Sequence, residues 1–373
     1  MNTGKASVML GFNQPLEIRE YPLPKEIEKG AIFVKMVAAG ICGTDVHTWV
    51  GQTGGKILNF PVILGHENVG EVVEIGGDVE IKAFDGSIVK KGDLITWPTT
   101  VGTYCYDCAN CRNGIPNKCS NRKTYGAGIS SDIEPHFFGG WAEYCYLFPK
   151  TSITILPKNI DPKTLVATGC ALPTAVHAAE RAGINIGDSV IVQGSGAVGL
   201  MTALVAKESG ANKVIIVGGP APRLELAQKW GIDETINLYD LKTPEERIAK
   251  TKEICNNIGA DVVFECSGFP NAFSEGVQMI RDGGTYVVVG QFMDAGPADN
   301  FHPFHVTFKH CTIKGSYSWL PRHTFRAVQF LEKVSSKYEL DKLVSHEFPL
   351  EEVNEALLSV KNFVASKAVL TFK

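Results

Sequence analysis

Near-continuous apolar runs, each followed by a segment with helical character, limit the fold of this chain more than any other feature. The runs are SVIVQG (189–194), KVIIVG (213–218), DVVFECSG (261–268) and TYVVVG (285–290). Strands that are apolar along their whole length are expected where both faces of a sheet are covered, and alternation with helices is typical of a parallel sheet. The middle of the chain is therefore predicted to be a doubly wound α/β domain.

The flanking segments have a different texture. Residues 1–150 contain short β-branched runs bounded by Gly, Pro or Asp, at 32–42, 68–76 and 93–98, and such runs indicate strands of a β-rich domain. An alanine-rich stretch from Leu165 predicts one helix despite its proline, and a further helix is predicted near 322–337, followed by strand signals.

At 373 residues the chain exceeds one ordinary core, so two domains are expected. The most economical layout is a doubly wound domain, residues 172–316, inserted into a β-rich domain formed by residues 1–171 and 317–373. The formal net charge of −4 offers no attraction for nucleic acid or an anionic membrane. No apolar run is long enough to span a bilayer, and the N-terminal residues lack the features of a secretory signal, so a cytoplasmic location is expected.

Four cysteines form the run CYDCANCRNGIPNKC, at Cys105, Cys108, Cys111 and Cys119. Thiolates this close in sequence can converge on one ion, and four thiolates are a closed, tetrahedral ligand set for structural zinc. Disulfides would need an oxidising compartment. A bacterial iron–sulfur run would place its last cysteine after three residues and before a proline, whereas Ser120 follows the fourth cysteine of this run. The spacing therefore favours structural zinc over reduced core cysteines that lie close by chance.

A glycine-rich loop fits the pattern G-x-G-x-x-G, which is a signature of dinucleotide binding. Its residues are Gly194, Ser195, Gly196, Ala197, Val198 and Gly199. The loop follows an apolar run and opens a helical segment, which is the setting that the signature requires. The glycines permit a tight turn, close approach of the pyrophosphate and close helix packing, while the phosphates meet the positive end of the helix. The loop therefore favours a nicotinamide dinucleotide site over a plain turn.

The acidic residue that usually reads the adenosine ribose is missing. Nicotinamide sites commonly carry Asp or Glu at the end of the second strand, but this chain has Gly218 there and no carboxylate before Glu225. Without that negative charge the site does not repel the 2′-phosphate of NADP, and the guanidinium group of Arg223 could approach this phosphate. Because Arg223 could equally lie over the ribose or adenine of NAD, the sequence leaves NAD and NADP as alternatives.

Several motifs together resemble one known family. They are CGTDVH (42–47), GHE (65–67), the four-cysteine run, GGWAEY (139–144), GSGAVG (194–199) and RLELAQKWG (223–231). On these motifs the chain resembles, over nearly its whole length, the zinc-dependent medium-chain dehydrogenase/reductase family of alcohol, sorbitol and threonine dehydrogenases. The resemblance implies a Rossmann doubly wound parallel sheet inserted into a β-rich, GroES-like catalytic domain. It also implies two zinc ions per chain, one catalytic and one structural, and NAD or NADP.

By the same resemblance, Cys42 and His66 match two ligands of the catalytic zinc. The third place holds Cys170, where alcohol dehydrogenases carry Cys and the polyol and threonine enzymes carry Glu. Three protein ligands leave the fourth position of the ion for water or substrate. Glu67 is implied as an adjacent carboxylate that can coordinate transiently during ligand exchange.

Three more residues take their expected roles from the family. Asp45 is expected to orient His66 through its other ring nitrogen. Thr44 takes the proton of the alcohol, the cofactor ribose carries it, and His47 releases it, which suits an imidazole because its pKa lies near neutrality. Hydride passes between the substrate carbon and the nicotinamide.

The sequence thus predicts a cytoplasmic, NAD(P)-dependent zinc alcohol dehydrogenase that interconverts an alcohol with its aldehyde or ketone, with secondary alcohols and polyols among the candidate substrates. The resemblance also implies a homo-oligomer, either a dimer or a tetramer. Two alternatives are a nucleic-acid-binding zinc module joined to a nucleotide-binding or methyltransferase-like domain, and a zinc-free or non-catalytic relative of the same fold.

Overall fold

The computed structural model describes residues 2–53 and 58–372. The chain divides into two compact units, of which unit 1 contains residues 1–170, 319–336 and 340–373 and unit 2 contains residues 171–318 and 337–339. The domain bounds that the sequence suggests stay a prediction. Within the described ranges, no helix has both the length and the apolar character needed to cross a membrane.

The elements are numbered in chain order. The strands are β1 (Thr3–Met9), β2 (Glu17–Pro22), β3 (Ile32–Ile41), β4 (Val62–Ile63), β5 (Glu67–Ile75), β6 (Leu94–Thr96), β7 (Tyr144–Leu147), β8 (Thr154–Ile155), β9 (Ser189–Gln193), β10 (Lys213–Gly218), β11 (Glu234–Asn237), β12 (Ala260–Glu265), β13 (Ile280–Val288), β14 (Thr312–Gly315), β15 (His346–Pro349) and β16 (Ala368–Thr371). The helices are α1 (Gly43–Trp49), α2 (Ala109–Arg112), α3 (Pro162–Leu165), α4 (Ala171–Ala182), α5 (Ala197–Glu208), α6 (Ala221–Lys229), α7 (Pro244–Ile254), α8 (Pro270–Met279), α9 (Phe304–Phe308), α10 (Pro321–Val334) and α11 (Val353–Lys361).

Unit 2 is built on a parallel sheet with the strand order β11-β10-β9-β12-β13-β14. Val190 in β9 pairs with Val214 on one side and with Val262 on the other, and all three side chains are buried. The strands are apolar along their length because helices separate them in sequence and cover the sheet. This order, which runs outward in both directions from β9, confirms the predicted doubly wound parallel sheet.

Unit 1 is organised around the long strand β3. It lies in a mixed sheet with the order β15-β16-β3-β5-β6-β8, and β7 pairs with the first half of β3. The last residues of β3 are held from both sides, because Gly40 pairs with Val369 of β16 and with Glu67 of β5. The end of β3 is therefore held in place by backbone pairing with a strand on each side.

The alanine-rich segment is not the single helix that the sequence predicts. The helix α3 ends at Leu165, a 3₁₀ turn covers Val166–Gly169, and α4 begins only at Ala171. Cys170 lies between them with φ of −149° and ψ of −66°, outside the helical region. Pro173 falls in the first turn of α4, where a backbone N–H has no partner within the helix. Cys170 is therefore not part of a continuous helix.

Candidate active site

The pairing of β3 with β5 places two of the predicted zinc ligands side by side. The strands are antiparallel and Gly40 pairs with Glu67. Cys42, just after β3, and His66, just before β5, therefore leave the sheet at the same end. A Cβ on Gly40 would lie 2.1 Å from a carboxylate oxygen of Glu67, so any larger residue there would displace that carboxylate. The turn into β5 uses Gly65 with φ of +95°, a conformation that favours glycine.

The third predicted ligand arrives through a close contact between backbones. The 3₁₀ turn before Cys170 packs on β5, and a Cβ on Gly169 would lie only 2.7 Å from the Cα of Glu67. This approach brings the Sγ of Cys170 to 3.9 Å from the Sγ of Cys42. One ligand atom each from Cys42, His66 and Cys170 lies within 4.8 Å of the others. Three residues far apart in sequence thus form one cluster, which we call the long-range cluster.

The donor geometry of the long-range cluster fits a tetrahedral zinc ion. Two thiolates that each lie about 2.3 Å from a tetrahedral ion are separated by roughly 3.8 Å, close to the separation of 3.9 Å between the two sulfurs. A disulfide would instead bring them to about 2.05 Å. Three protein donors leave one coordination position for a substrate oxygen.

Asp45 orients His66 and also caps α1. One of its carboxylate oxygens lies 3.1 Å from Nδ1 of His66, and the other accepts a hydrogen bond of 2.9 Å from the backbone N–H of Cys42. Although burial acts in the opposite direction, the Asp45 carboxylate holds the pKa of His66 well above its ordinary value. Because Nδ1 faces Asp45, the more basic Nε2 is the nitrogen left to bind a metal.

A hydrogen bond joins the two thiols of the long-range cluster. The hydrogen bond from Cys170, helped by His66, holds the pKa of Cys42 well below its ordinary value against the effect of burial. The same hydrogen bond and burial raise the pKa of Cys170 well above its ordinary value. A divalent cation that binds both sulfurs would therefore displace one proton from Cys170.

Lys367 is a site residue that the sequence did not predict. It precedes β16, is only 2% exposed, and pairs through its ammonium group with Glu67, which is 0% exposed. Burial raises the pKa of Glu67 to about 7, while Lys367 acts in the opposite direction. The second oxygen of Glu67, Oε1, is buried and has no hydrogen-bond partner in the described part of the chain. The signal in the sequence is a lysine next to the apolar run AVL.

The two predicted relay residues lie on α1, directly after Cys42. Thr44 is half-buried and His47 is exposed. Nδ1 of His47 lies 2.6 Å from Oε1 of Gln52. The imidazole of His47 is therefore accessible to water.

The other four cysteines, which we call the local cluster, converge within one loop. One sulfur each from Cys105, Cys108, Cys111 and Cys119 lies within 4.8 Å of the others, and Cys105 is 3.9 Å from Cys111 and 3.5 Å from Cys119. Hydrogen bonds from backbone N–H groups, first that of Ser120, lower the pKa of Cys108 to about 6. All ten cysteines of the chain are free thiols. Four converging thiols form a closed donor set that leaves no position for substrate.

The glycine loop connects β9 to α5 in the arrangement that dinucleotide binding needs. Gly194 adopts φ of +107°, and Gly196 is the N-cap of α5. A Cβ on Gly199 would lie 2.0 Å from the carbonyl oxygen of Gly194, so this glycine permits the close packing of helix on strand. A Cβ on Gly196 would meet nothing within 4 Å. The first turn of α5 begins with Ala197 and Val198. The space in front of this turn is therefore open to a phosphate.

The end of β10 shows why glycine replaces the usual carboxylate. Oγ of Ser195 donates to the carbonyl oxygen of Gly219 and accepts from its N–H, both at 2.9 Å. A Cβ on Gly218 would lie 2.6 Å from the same Oγ. Arg223 is largely buried on α6. Ser195 thus occupies the space that an acidic side chain at 218 would need.

Two family descriptions match the chain. The alcohol dehydrogenase GroES-like domain matches residues 28–158, and the zinc-binding dehydrogenase domain matches residues 197–333. The first range contains Cys42, His66 and the local cluster, whereas Cys170 lies outside both ranges.

Known proteins match over almost the whole chain. The 5-exo-hydroxycamphor dehydrogenase of Pseudomonas putida is 33% identical, and the match covers 99% of both chains. The sorbitol dehydrogenase of Halalkalibacterium halodurans is also 33% identical, with 95% of each chain covered. The crystal structure of an alcohol dehydrogenase from Thermotoga maritima superimposes with a TM-score of 0.91 at 32% identity and covers 100% of both chains.

The chain belongs to the zinc-dependent medium-chain dehydrogenase/reductase family. As a member it is an oxidoreductase that transfers hydride between an alcohol and NAD(P), and its cofactors are zinc and a nicotinamide dinucleotide. The family assignment supports this prediction over the nucleic-acid-binding module and over the zinc-free relative. Its substrates are small-molecule alcohols and the corresponding carbonyl compounds.

Family membership confirms the Rossmann and GroES-like architecture. Cys170 and Lys367 lie beyond the matched ranges, and their placement comes from packing against β5 and from the β3–β16 pairing. In this dehydrogenase the positions of Cys170 and Lys367 are therefore known from the structure and not from the family descriptions.

Proposed function

We propose that this chain oxidises a secondary alcohol to a ketone with NAD(P)⁺, and catalyses the reverse reduction, at a zinc ion held by Cys42, His66 and Cys170. The convergence of these three donors with one coordination position to spare carries the proposal. The names of two relatives support the substrate class, because hydroxycamphor and sorbitol both contain secondary hydroxyl groups.

Each residue of the centre has a defined task. Zinc, when bound, supplies positive charge that lowers the pKa of a substrate hydroxyl. Cys42 and Cys170 bind as thiolates and His66 as a neutral imidazole, so that the protein ligands balance the charge of the ion. Asp45 holds the His66 ring through Nδ1.

The reaction removes one hydride and one proton from the alcohol. The hydride leaves the carbinol carbon with two electrons and reduces NAD(P)⁺ to NAD(P)H. Oγ1 of Thr44 accepts the proton of the substrate hydroxyl and passes on its own, and His47 finally releases a proton to water. The exposure of His47 supports this last step.

In the resting site Lys367 holds Glu67. The ion pair directs one carboxylate oxygen to the ammonium group, and the other oxygen has no described partner. Glu67 is therefore available for transient coordination when ligands exchange, and we propose that it does not bind zinc at rest.

The local cluster holds a second zinc that stabilises its loop and does no chemistry. Its four thiols, at Cys105, Cys108, Cys111 and Cys119, fill a tetrahedral coordination sphere. Binding free energy at such a site contributes to folding, because the ligands do not converge in the unfolded chain.

We further propose a cytoplasmic homo-oligomer, a dimer or a tetramer. Strand β14 forms an edge of the unit 2 sheet, and unpaired edges are ready partners for a second copy. Nearby in sequence, Phe304 and Phe308 stack with ring centroids 5.0 Å apart, and they are 62% and 71% exposed. Free thiols throughout the chain suit a reducing compartment.

A substrate panel tests the proposed function. The zinc-loaded protein is assayed with primary, secondary, polyol and hydroxy-amino-acid alcohols, each with NAD⁺ and with NADP⁺. The highest kcat/KM is expected for secondary alcohols. Turnover confined to primary alcohols would contradict the substrate class, whereas a hydroxy-amino acid with a secondary hydroxyl group belongs to it. No turnover with any alcohol or carbonyl compound would contradict the function.

A further inference from the structure

The helix that carries the relay histidine ends in a Schellman motif. After Val50, Gly51 adopts the left-handed conformation with φ of +86°. The N–H of Gly51 donates to the carbonyl of Thr48 at 3.0 Å, and the N–H of Gln52 donates to the carbonyl of His47 at 2.9 Å. These are the two hydrogen bonds that define the motif, and they bring the residue after the glycine next to the residue one turn earlier. The backbone thus places Gln52 beside His47.

The contact between these side chains is polar, whereas an apolar contact usually accompanies this motif. Oε1 of Gln52 lies 2.6 Å from Nδ1 of His47. An amide oxygen can only accept a hydrogen bond, so Nδ1 of the ring carries the hydrogen. In the neutral ring the lone pair is then on Nε2.

We propose that Gln52 is a positioning residue of the proton relay, which fixes the tautomer and the orientation of His47 so that Nε2 accepts the proton. The inference rests on the relay role of His47 in the proposed function. In the step itself the O–H bond of the relay hydroxyl that precedes His47 breaks, and a new N–H bond forms at Nε2. The ring becomes an imidazolium, the negative charge left on that oxygen is neutralised by the proton that it receives from the previous relay group, and Nδ1–H stays bonded to Gln52. The proton at Nε2 then passes to water, which restores the neutral ring with the same tautomer.

None of the charged groups described around α1 is bonded to His47, so Gln52 is the residue that fixes its tautomer. Asp45, the charged residue on α1 itself, is buried and bonded to His66. The helix α11 packs against α1 and carries Glu355 and Lys361, whose ammonium group lies 4.9 Å from the ring centroid of Trp49. Among residues 2–53 and 58–372, no hydrogen bond or ion pair joins these groups to His47. Gln52 is neutral, so it can fix the tautomer without adding charge.

Two substitutions of Gln52 separate its polar role from its packing role. Gln52→Met keeps the length of the side chain but removes the acceptor, and Gln52→Glu keeps an acceptor oxygen. We expect Gln52→Met to lower kcat of the zinc-loaded enzyme about five- to tenfold near pH 7 with KM for the alcohol nearly unchanged, a part of the roughly 10²–10⁴-fold that a general base contributes.

The expected result for Gln52→Glu is different. Its carboxylate would still accept from Nδ1–H, so kcat on the pH plateau should stay within about twofold of wild type. The negative charge would also stabilise the imidazolium, so the acidic limb of the pH–kcat profile should move to higher pH. A role confined to capping the helix predicts the opposite pattern, in which Gln52→Met retains full activity because methionine packs well at this position.

The His47→Asn variant distinguishes failure of this inference from failure of the relay. If both residues act as one unit, Gln52→Met should lower kcat no further when it is added to His47→Asn. A loss of kcat in His47→Asn with none in Gln52→Met would overturn the inference alone. Wild-type kcat in His47→Asn would overturn the relay role, and the inference with it. Thermal unfolding of each variant checks that the changes in kcat do not come from loss of the fold.

Discussion

The local cluster and the long-range cluster offer similar sulfur donors, but the chain assembles them by opposite routes. Cys105 to Cys119 lie within one loop, with only the four-residue helix α2 and a short 3₁₀ turn as regular structure. Cys42, His66 and Cys170 are instead brought together by the β3–β5 register and by the contact of Gly169 with β5. The long-range cluster is thus supported by a sheet, whereas the local cluster depends on its own loop.

In the proposed enzyme this difference divides folding and chemistry between the two clusters. Four donors close a coordination sphere, and the binding free energy goes into the loop. Three donors leave one position open, and their geometry is maintained without the ion by the β3–β5 pairing and by the packing of the turn before Cys170 on β5. Loss of metal should therefore unfold the local loop but leave the frame of the long-range cluster intact.

The largest effect is expected from Cys42→Ser in the long-range cluster. A catalytic zinc supplies several kcal/mol of charge stabilisation, and each 1.36 kcal/mol is a factor of ten, so kcat should fall by about 10³- to 10⁴-fold. Dinucleotide binding and thermal unfolding should change little. The control is Cys311→Ser, since that thiol lies in unit 2 outside both clusters. Equal activity of the Cys42→Ser and Cys311→Ser variants would show that Cys42 is not part of the catalytic site.

Cys108→Ser should instead act on stability. Structural zinc in small peptides contributes about 10–16 kcal/mol of binding free energy, and we expect a loss of about 5 kcal/mol in the free energy of unfolding because the three remaining thiols still hold the ion weakly. Denaturant unfolding and zinc content per chain measure this loss. Activity of the remaining folded protein should stay near wild type, and a selective loss of kcat without loss of stability would reverse the roles of the two clusters.

Lys367→Met tests the ion pair under the long-range cluster. Removing one partner of a buried pair usually costs about 3–5 kcal/mol of unfolding free energy. We expect about 3 kcal/mol, since Glu67 can take up a proton when its partner is gone. The surface pair of Lys342 with Asp341 provides the control, and Lys342→Met should change the free energy of unfolding by less than about 0.5 kcal/mol.

Adding Glu67→Gln to Lys367→Met should recover part of the lost stability, because an amide at position 67 is neutral without the free-energy cost of taking up a proton. Equal costs for Lys367→Met and Lys342→Met, measured by denaturant unfolding, would show that Lys367 and Glu67 do not form the buried pair.

Asp45→Asn should give the smallest effect. An amide can still accept the hydrogen bond from the Cys42 N–H, but it no longer makes His66 more basic. Loss of such a partner typically weakens metal affinity or activity by about 10- to 100-fold. Competition with a chelator should release zinc earlier from the long-range cluster only. If Asp45→Asn made zinc release equally earlier from both clusters, Asp45 would not act specifically on the long-range cluster.

Local patterns in the sequence predicted those features of the structure that depend on residues close together in the chain. The local cluster follows from the spacing of four cysteines, and the strand and helix around Gly194–Gly199 follow from apolar runs and glycine positions. The doubly wound sheet is confirmed because its strands are buried on both faces and read as continuous apolar runs.

Contacts between distant segments could not be read from such patterns. Glu67 and Lys367 are 300 residues apart and meet only through the pairing of β5, β3 and β16. The break of the alanine-rich helix at Cys170 was also missed, because it depends on packing of Gly169 against β5. Cys42, His66 and Cys170 were predicted through resemblance to a family, and their roles as ligands remain part of the proposal.

Anomalous diffraction at the zinc edge, from crystals of the zinc-loaded enzyme, tests the central claim most directly. The account predicts two peaks per chain, one within bonding distance of the four sulfurs of the local cluster and one bound by Cys42, His66 and Cys170 with Glu67 still paired to Lys367. A single peak at the local cluster, or a second peak whose four ligands all come from the protein, would contradict the division between a closed site and an open one.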